Sequence, residues 1–148
     1  MIPRSSQPTL LLVEDSDEDY ETALRTFKKL GRPLTIWRCA DGDDALDLLY
    51  RRGAHANRTD QPSLILLDLN LPATDGREVL SLIKHDAALK SIPVVILTTS
   101  ANAQDVAACY ANGASGYLLK PVDLEHFAQV LKDVYDYWFG AVLLPHGA

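Results

Sequence analysis

The segment Ser63-Leu64-Ile65-Leu66-Leu67-Asp68 is the strongest indication of the fold in this chain. An uninterrupted apolar run of this length, bounded by polar residues, is typical of a strand that is buried on both faces. The run ends at Asp68, where a buried strand would present its last side chain to solvent. A carboxylate in that position serves either as a capping group or as a nucleophile, and the neighbouring strand ends distinguish the two.

Three other apolar runs also end on polar side chains: Leu10 to Val13 before Glu14 and Asp15, Val94 to Leu97 before Thr98, and Gly116 to Leu119 before Lys120. The carboxyl ends of parallel strands lie on one edge of a sheet, where open α/β folds bind their ligands. We therefore expect an acid pair, a second acid, a hydroxyl and an amine to converge there. This set suits metal-assisted phosphoryl transfer to an aspartate.

Short β-type runs alternate with helical patterns along the chain, which is typical of βα units that build a parallel sheet. The sequence predicts an α/β fold with five helices and a five-stranded doubly wound parallel sheet of order 2-1-3-4-5. The predicted boundaries are a first helix from Ser16 or Asp17 to Gly31, a second strand at residues 35–39, a fourth helix ending at Asn112-Gly113 and a fifth helix after Asp123. The fifth helix is expected to bury Phe127, Val130, Leu131, Val134 and Trp138.

Length and charge bound the class of protein. A chain of 148 residues fits one domain, and its formal net charge of −6 argues against general nucleic-acid binding. Residues 1–8 lack the apolar core of a signal peptide, and no apolar run approaches the roughly 18 residues that span a bilayer. We expect a cytoplasmic protein without a membrane partner. Cys39 and Cys109 are isolated and are expected to be buried free thiols.

The expected domain organisation is a single domain over residues 1–148, with a core at about residues 8–137 and a C-terminal extension at residues 138–148. Too few residues follow Lys120 for an output domain, which needs about fifty or more. Signalling through surface contacts is therefore expected. Residues 51–62 are predicted to form an exposed loop, which is long for a helix-to-strand connection.

The predicted strand order places Glu14, Asp15 and Asp68 side by side. Carboxylates this close would raise one another's pKa unless a cation neutralised them, and Mg²⁺ suits a site with few protein ligands. Asp15 and Asp68 are expected to bind the ion directly and Glu14 through a water. The backbone carbonyl of Asn70 is expected to supply a further oxygen.

Thr98 and Lys120 are expected on the other side of Asp68. A phosphoryl group on Asp68 would present one oxygen to the metal, one to the Thr98 hydroxyl and one to the Lys120 ammonium. Phosphoryl transfer depends mostly on positioning and charge stabilisation, and a carboxylate nucleophile yields an aspartyl phosphate. Each residue alone has an ordinary structural explanation, such as a cap or a strand former. Their joint placement at four strand ends favours the functional interpretation.

The chain resembles the receiver domain of bacterial two-component response regulators in five segments: VEDS (13–16), LLDLNLP (66–72), DG (75–76), LT (97–98) and GASGYLLKP (113–121). The resemblance implies that Asp68 accepts a phosphoryl group from a histidine kinase and that the Lys120–Pro121 bond is cis. It also implies a switch in which Thr98 moves to the phosphoryl group and Tyr117 rotates inward behind it. Such a protein is a signalling phosphoacceptor that catalyses only its own phosphorylation and dephosphorylation.

The subgroup it resembles is the stand-alone regulators that are paired with cyanobacterial and bacterial phytochromes. The similarity lies in the loop at residues 51–62, the LTTS segment (97–100) and the apolar ending at residues 137–145. A phytochrome kinase is therefore the expected partner, and a stand-alone receiver of another kinase or phosphorelay is the alternative. Thr99 departs from the smaller residue of many receivers, and its bulk is expected to slow hydrolysis.

The apolar ending also bears on oligomeric state. Residues 138–145 are too apolar for a solvated tail, so something must cover them. We expect a homodimer in which each C-terminal segment is buried on its partner, since two-fold dimers are the commonest oligomers. The alternative is a tail that folds back on its own domain.

Three rival classes are disfavoured: one by the order of the motifs, one by their charge and one by the presence of every key residue. A haloacid-dehalogenase-like phosphatase carries its Asp-x-Asp pair after the first core strand, whereas here the expected acceptor follows the third. A flavodoxin-like cofactor binder needs a phosphate loop where this chain has the acidic residues 14–19. A pseudo-receiver would lack the acceptor, a metal acid or the lysine. The four histidines show no ligand spacing and are given no role.

Overall fold

Five parallel strands form one sheet in the order β2-β1-β3-β4-β5, which confirms the predicted topology. The computed structural model describes residues 7–145. The strands are β1 (Thr9–Val13), β2 (Thr35–Cys39), β3 (Leu64–Leu67), β4 (Val94–Thr98) and β5 (Gly116–Leu119). The helices are α1 (Asp17–Lys29), α2 (Gly42–Tyr50), α3 (Gly76–Lys84), α4 (Ala103–Ala111) and α5 (Leu124–Asp136).

The sheet separates two apolar clusters. Buried odd-numbered residues of β1 and β3 pack in one cluster with α2 and α3, and the even-numbered ones pack in the other with α1 and α5. Because helices cover both faces, β3 and β4 are buried at every position and read as continuous apolar runs. Ligands can therefore reach the sheet only at an edge.

Side-chain caps set where the helices begin. The Ser16 side chain accepts a hydrogen bond from the Asp19 amide at the start of α1, and Asp123 accepts one from Glu125 at the start of α5. Both starts agree with the prediction, since Ser and Asp satisfy amides that lack a partner within the helix. After α4 the chain passes through Asn112 and then Gly113, whose φ of 98° favours glycine.

The Lys120–Pro121 bond departs from the prediction. Residues 7–145 contain no cis peptide bond, so this bond is trans and not cis as the resemblance implied. The trans isomer is the ordinary preference of an X–Pro bond.

The segment at residues 51–62 is mostly exposed, as the sequence predicted. It contains a short 3₁₀ helix, Gly53–His55, and it is held to the domain by side chains. Arg58 stacks on Trp37 with 4.6 Å between the guanidinium carbon and the ring centroid, and its Nε lies 2.9 Å from Nδ1 of His55. The prediction of an exposed loop is confirmed for most of the segment, and Arg58 covers the aromatic face that Trp37 of β2 offers.

The C-terminal segment, defined here as residues 138–145, folds partly back on its own domain. α5 continues into one π-helical turn, Tyr137–Ala141, and the Arg32 guanidinium donates to the Phe139 carbonyl at 3.3 Å. Trp138 and Val130 are half-buried and not buried, whereas Leu143 is fully exposed. His146, Gly147 and Ala148 lie outside the described residues. Within the described part of the chain, no helix is long and apolar enough to cross a membrane.

Candidate functional site

Three carboxylates meet at the carboxyl edge of the sheet. Glu14 follows β1 and Asp68 follows β3, and the Asp68 amide donates to the Val13 carbonyl at 3.1 Å. One carboxylate oxygen from each of Glu14, Asp15 and Asp68 lies within 4.8 Å of the others. We call these three residues the acidic cluster. The sheet order brings them together as the sequence predicted.

The members of the acidic cluster differ in exposure. Glu14 and Asp68 are buried, with 3% and 8% of their surface exposed, whereas Asp15 is open to solvent. The Ser16 amide donates to Glu14 Oε2 at 3.1 Å, and the Asn70 amide donates to Asp68 Oδ1 at 3.3 Å. Burial raises the pKa of Glu14, and the hydrogen bond and charge of Lys120 offset only part of that rise.

Lys120 enters the site from the end of β5 and contacts three carboxylates. Its Nζ donates to Glu14 Oε1 at 2.5 Å, to Asp19 Oδ2 at 3.0 Å and to Asp68 Oδ2 at 3.2 Å. Burial alone would lower the pKa of Lys120, but the bonds and charges of Glu14, Asp19 and Asp68 outweigh it and raise the pKa. The ammonium is therefore charged. Sequence reasoning missed Asp19, because only the direction of α1 turns that side chain towards the site.

Thr98 and Tyr117, the two predicted switch residues, both contact Ser100. Thr98 is the last residue of β4 and is fully buried, and its Oγ1 accepts from the Ser100 amide at 3.4 Å. The Tyr117 hydroxyl donates to the Ser100 carbonyl at 2.8 Å. Tyr117 thus lies against the β4–α4 loop, residues 99–102.

Ser100 links this loop to two helices. Its hydroxyl donates to Asp105 Oδ2 of α4 at 2.7 Å, and Arg77 of α3 donates to both oxygens of Asp105 at 2.8 Å. Arg77, and after it Ser100, lower the pKa of Asp105 to about 2. Sequence reasoning missed Arg77, Ser100 and Asp105 as a group, since nothing in their spacing signals that they are in contact.

The donor set fits a hard divalent cation. Three carboxylates on one edge carry more negative charge than the Lys120 ammonium neutralises, and carboxylate oxygens are the ligands that Mg²⁺ prefers. Both oxygens of Glu14 already accept hydrogen bonds, from Lys120 and Ser16, which suits an indirect role through water. The Asn70 carbonyl stays a predicted ligand.

A five-stranded doubly wound sheet with an acidic cluster and a buried lysine at its carboxyl edge defines a receiver-type signalling domain. The family described as "Response regulator receiver domain" matches residues 10–132. The chain belongs to this family.

Relatives and solved structures agree with that assignment. The chain is 41% identical over 148 residues to response regulator Rcp1 of Synechocystis sp., covering 98% of this chain and 99% of the relative. The probable methanogenesis regulatory protein FilR2 of Methanothrix harundinacea is 40% identical over 131 residues, covering 88% and 83%.

Several solved structures match over more than nine-tenths of the chain. The Mn²⁺-bound form of Rcp1 has a TM-score of 0.90 at 40% identity, covering 93% of this chain and 99% of that one. The phosphorylated cyanobacterial phytochrome response regulator RcpA has a TM-score of 0.91 at 37% identity, covering 95% and 99%. The chain is therefore homologous to phytochrome response regulators.

Proposed function

We propose that Asp68 accepts a phosphoryl group from a phosphohistidine of a sensor histidine kinase in a Mg²⁺-dependent reaction. The observation that carries this proposal is the contact of Asp68 with two kinds of group. Carboxylate oxygens of Glu14 and Asp15, which follow β1, lie within 4.8 Å of an Asp68 oxygen, and Lys120 Nζ lies 3.2 Å from Asp68 Oδ2. The chain is on this view a signalling phosphoacceptor, which catalyses only its own phosphorylation and dephosphorylation.

In the transfer, the P–N bond of the donor breaks as a P–O bond forms to a carboxylate oxygen of Asp68. The imidazole leaves as the neutral base when its other ring nitrogen carries a proton, and otherwise it takes a proton from solvent. Asp15 and Asp68 would hold Mg²⁺ directly, with Glu14 acting through water and the Asn70 carbonyl as a further ligand. The ion supplies positive charge to the phosphoryl oxygens.

Lys120 and Thr98 would bind the other two phosphoryl oxygens. The Lys120 ammonium already lies against Asp68 and needs no large movement to reach a group attached there. The Thr98 hydroxyl accepts a weak bond from Ser100, at 3.4 Å, which it can give up in order to donate to the phosphoryl group. Tyr117 would then leave the Ser100 carbonyl and rotate inward. Thr99 is proposed to slow the water that hydrolyses the acyl phosphate.

Replacing Asp68 by Asn tests the acceptor. Asp68→Asn should keep the fold and lose phosphorylation by a histidine kinase, because an amide is a poor nucleophile. The matched control is Asp60→Asn, in an exposed loop. Intact-protein mass spectrometry after transfer measures the phosphate bound per chain, and full phosphate stoichiometry on Asp68→Asn would overturn the assignment.

Asp15→Asn should bind Mg²⁺ more weakly when the binding is measured by calorimetry.

The proposed kinase is of the phytochrome type. Support comes from the similarity to RcpA, which is described as a phytochrome response regulator. FilR2 is 40% identical, against 37% for RcpA, and is described as a probable methanogenesis regulatory protein, which favours the alternative of another kinase or phosphorelay. Phosphotransfer profiling of the purified chain against candidate kinases distinguishes a phytochrome kinase from another kinase or phosphorelay. The partner with the fastest transfer identifies the subgroup.

We further propose that the chain works in the cytoplasm as a single receiver domain, with a core at about residues 8–137, that signals through protein contacts and forms a homodimer through its C-terminal segment. Apolar side chains remain uncovered in this segment and directly before it: Leu143 is fully exposed and Tyr137 is 54% exposed. A few such residues are tolerable on a monomer, but together with α5 they offer an apolar surface that a second copy could bury.

Leu143→Asp tests the dimer without a folding cost, because Leu143 makes no buried contact in the single chain. Light scattering over a concentration series, with and without phosphorylation, should show a dimer for the unchanged chain and a monomer for Leu143→Asp. Truncation after Tyr137 should have the same result. A full-length chain that stays monomeric at high micromolar concentration contradicts the proposal.

A further inference from the structure

Arg38 of β2 reaches over the loop that carries two members of the acidic cluster. Its Nε and Nη2 donate to the Glu14 carbonyl at 3.2 and 3.1 Å. Nη2 also lies 2.7 Å from Asp17 Oδ1, and the guanidinium carbon lies 4.6 Å from the centroid of the Tyr20 ring. The side chain is only 21% exposed, so it is packed between the loop and α1.

The carbonyl that Arg38 binds belongs to the peptide unit between Glu14 and Asp15. Two hydrogen bonds from one planar guanidinium restrain the plane of that peptide, and this plane sets the direction in which the Asp15 side chain leaves the backbone. Asp15 is exposed, so packing does little to orient its carboxylate. The Glu14 amide is restrained as well, since it donates to the Cys39 carbonyl at 3.0 Å.

We propose that Arg38 is a positioning residue for the divalent-cation site: it fixes the Glu14–Asp15 peptide so that the Asp15 carboxylate faces Asp68. This inference rests on the proposed function, because it concerns the same Mg²⁺ site. Arg38 acts through the backbone and does not contact the ion.

Two effects of Arg38 on cation binding have opposite signs, which makes the inference testable. A guanidinium near the site repels a cation, so its charge alone would weaken Mg²⁺ binding. Its hydrogen bonds hold the loop in place and strengthen binding. Asp17 pairs with Arg38 at 2.7 Å and neutralises much of its charge. The positioning effect should therefore dominate.

Calorimetric titration with Mg²⁺ alone measures the dissociation constant, which shows whether the positioning effect of Arg38 outweighs its charge. Arg38→Met should raise the dissociation constant about tenfold, the lower end of what loss of a supporting contact costs a metal site. Arg38→Lys keeps the charge but not the planar pair of donors, so it should also weaken binding. Asp17→Asn keeps the bonds to the Glu14 carbonyl and should stay within about twofold of the unchanged chain.

Arg52→Met is the matched control. Arg52 also pairs with an aspartate, Asp47 at 2.8 Å, and its guanidinium carbon lies 4.8 Å from the centroid of the Tyr50 ring, but it has no contact with the acidic cluster. Its loss should leave Mg²⁺ affinity unchanged. If Arg52→Met weakens binding as much as Arg38→Met does, general destabilisation explains both and the inference is wrong.

A second readout separates positioning from a general loss of structure. With a small acyl phosphate as donor, Arg38→Met should raise the Mg²⁺ concentration that gives half the maximal phosphorylation rate, while the rate at saturating Mg²⁺ changes much less. Unchanged or tighter Mg²⁺ binding by Arg38→Met overturns the inference but not the proposed function. An unchanged chain that binds no Mg²⁺ overturns both.

Discussion

The two sides of Asp68 are built from different interactions. On one side, which we call the ionic side, Lys120 is buried among Glu14, Asp19 and Asp68, and its side chain is only 7% exposed. On the other, the loop side, Ser100 is held by hydrogen bonds to Tyr117 and to Asp105, and it donates to Thr98. Arg77 supports Asp105 from a position that is 40% exposed.

This contrast indicates which part of the site can move. Buried charges that lose a partner cannot be compensated by water, so the ionic side should keep its arrangement. Half-exposed hydrogen bonds can be exchanged for water at small net cost. The loop side is therefore the part in which a conformational change on phosphorylation would take place, and four predictions test this contrast.

The largest effect is expected for Lys120→Met. The change leaves three carboxylates near one another without their common cation, and breaking a buried ion pair in this way costs about 3–5 kcal/mol. Urea unfolding followed by circular dichroism measures the loss. Mg²⁺ should recover part of the stability of this variant, because the ion neutralises the same carboxylates. A loss below about 1 kcal/mol would show that the ionic side is no more rigid than the loop side.

Ser100→Ala should have a smaller effect on stability and a larger one on mobility. It removes the hydroxyl that donates to Asp105 at 2.7 Å, worth about 1 kcal/mol, and that accepts from the Asn102 amide at 3.4 Å. The bonds of the Ser100 amide and carbonyl stay in place. Amide hydrogen exchange in residues 99–102 should speed up, while exchange in β1 and β3 should not change. Equal acceleration in β1 would contradict the separation of the two sides.

Tyr117→Phe should cost less than about 1 kcal/mol, because water can satisfy the Ser100 carbonyl once the hydroxyl is gone. Exchange in the β4–α4 loop should again speed up. The control is Tyr110→Phe at a tyrosine that is 50% exposed, for which neither stability nor exchange should change. If both variants behave alike, the Tyr117 hydroxyl does not hold the loop.

The smallest effect is expected for Asp105→Asn, and it should depend on pH. The folded-state pKa of Asp105 is about 2, below its ordinary value of 3.8, so its ionised form stabilises the fold above the ordinary pKa. This contribution is lost as the pH falls towards 2. Denaturant unfolding should thus show a constant difference between the two proteins above about pH 5 that shrinks below it. If the difference in unfolding free energy between the two proteins grows as the pH falls, ionised Asp105 does not stabilise the fold.

The sequence alone predicted the sheet and the residues at its carboxyl edge. Buried strands appear in the sequence as runs of apolar residues. The polar residue after each run could be assigned to the site, because the carboxyl ends of all strands in a parallel sheet lie on the same edge. Asp68 after β3 and Glu14 after β1 are the plainest cases, since the Val13–Leu67 register brings them side by side. Ser16 and Asp123 could also be predicted as N-caps, because capping involves only residues close to each other in the sequence.

The tertiary structure decided which side chains support those residues. Asp19 reaches Lys120 across 101 residues, Arg38 reaches the Glu14 carbonyl from a neighbouring strand, and Arg77 meets Asp105 between two helices. Such contacts depend on helix direction and rotamer, which leave no periodic trace in the sequence. The burial of Trp138 was predicted wrongly because it depends on packing between distant segments, which no pattern within a segment specifies. The cis isomer of the Lys120–Pro121 bond was wrong for another reason: it was taken from the family resemblance and not from a pattern in this sequence.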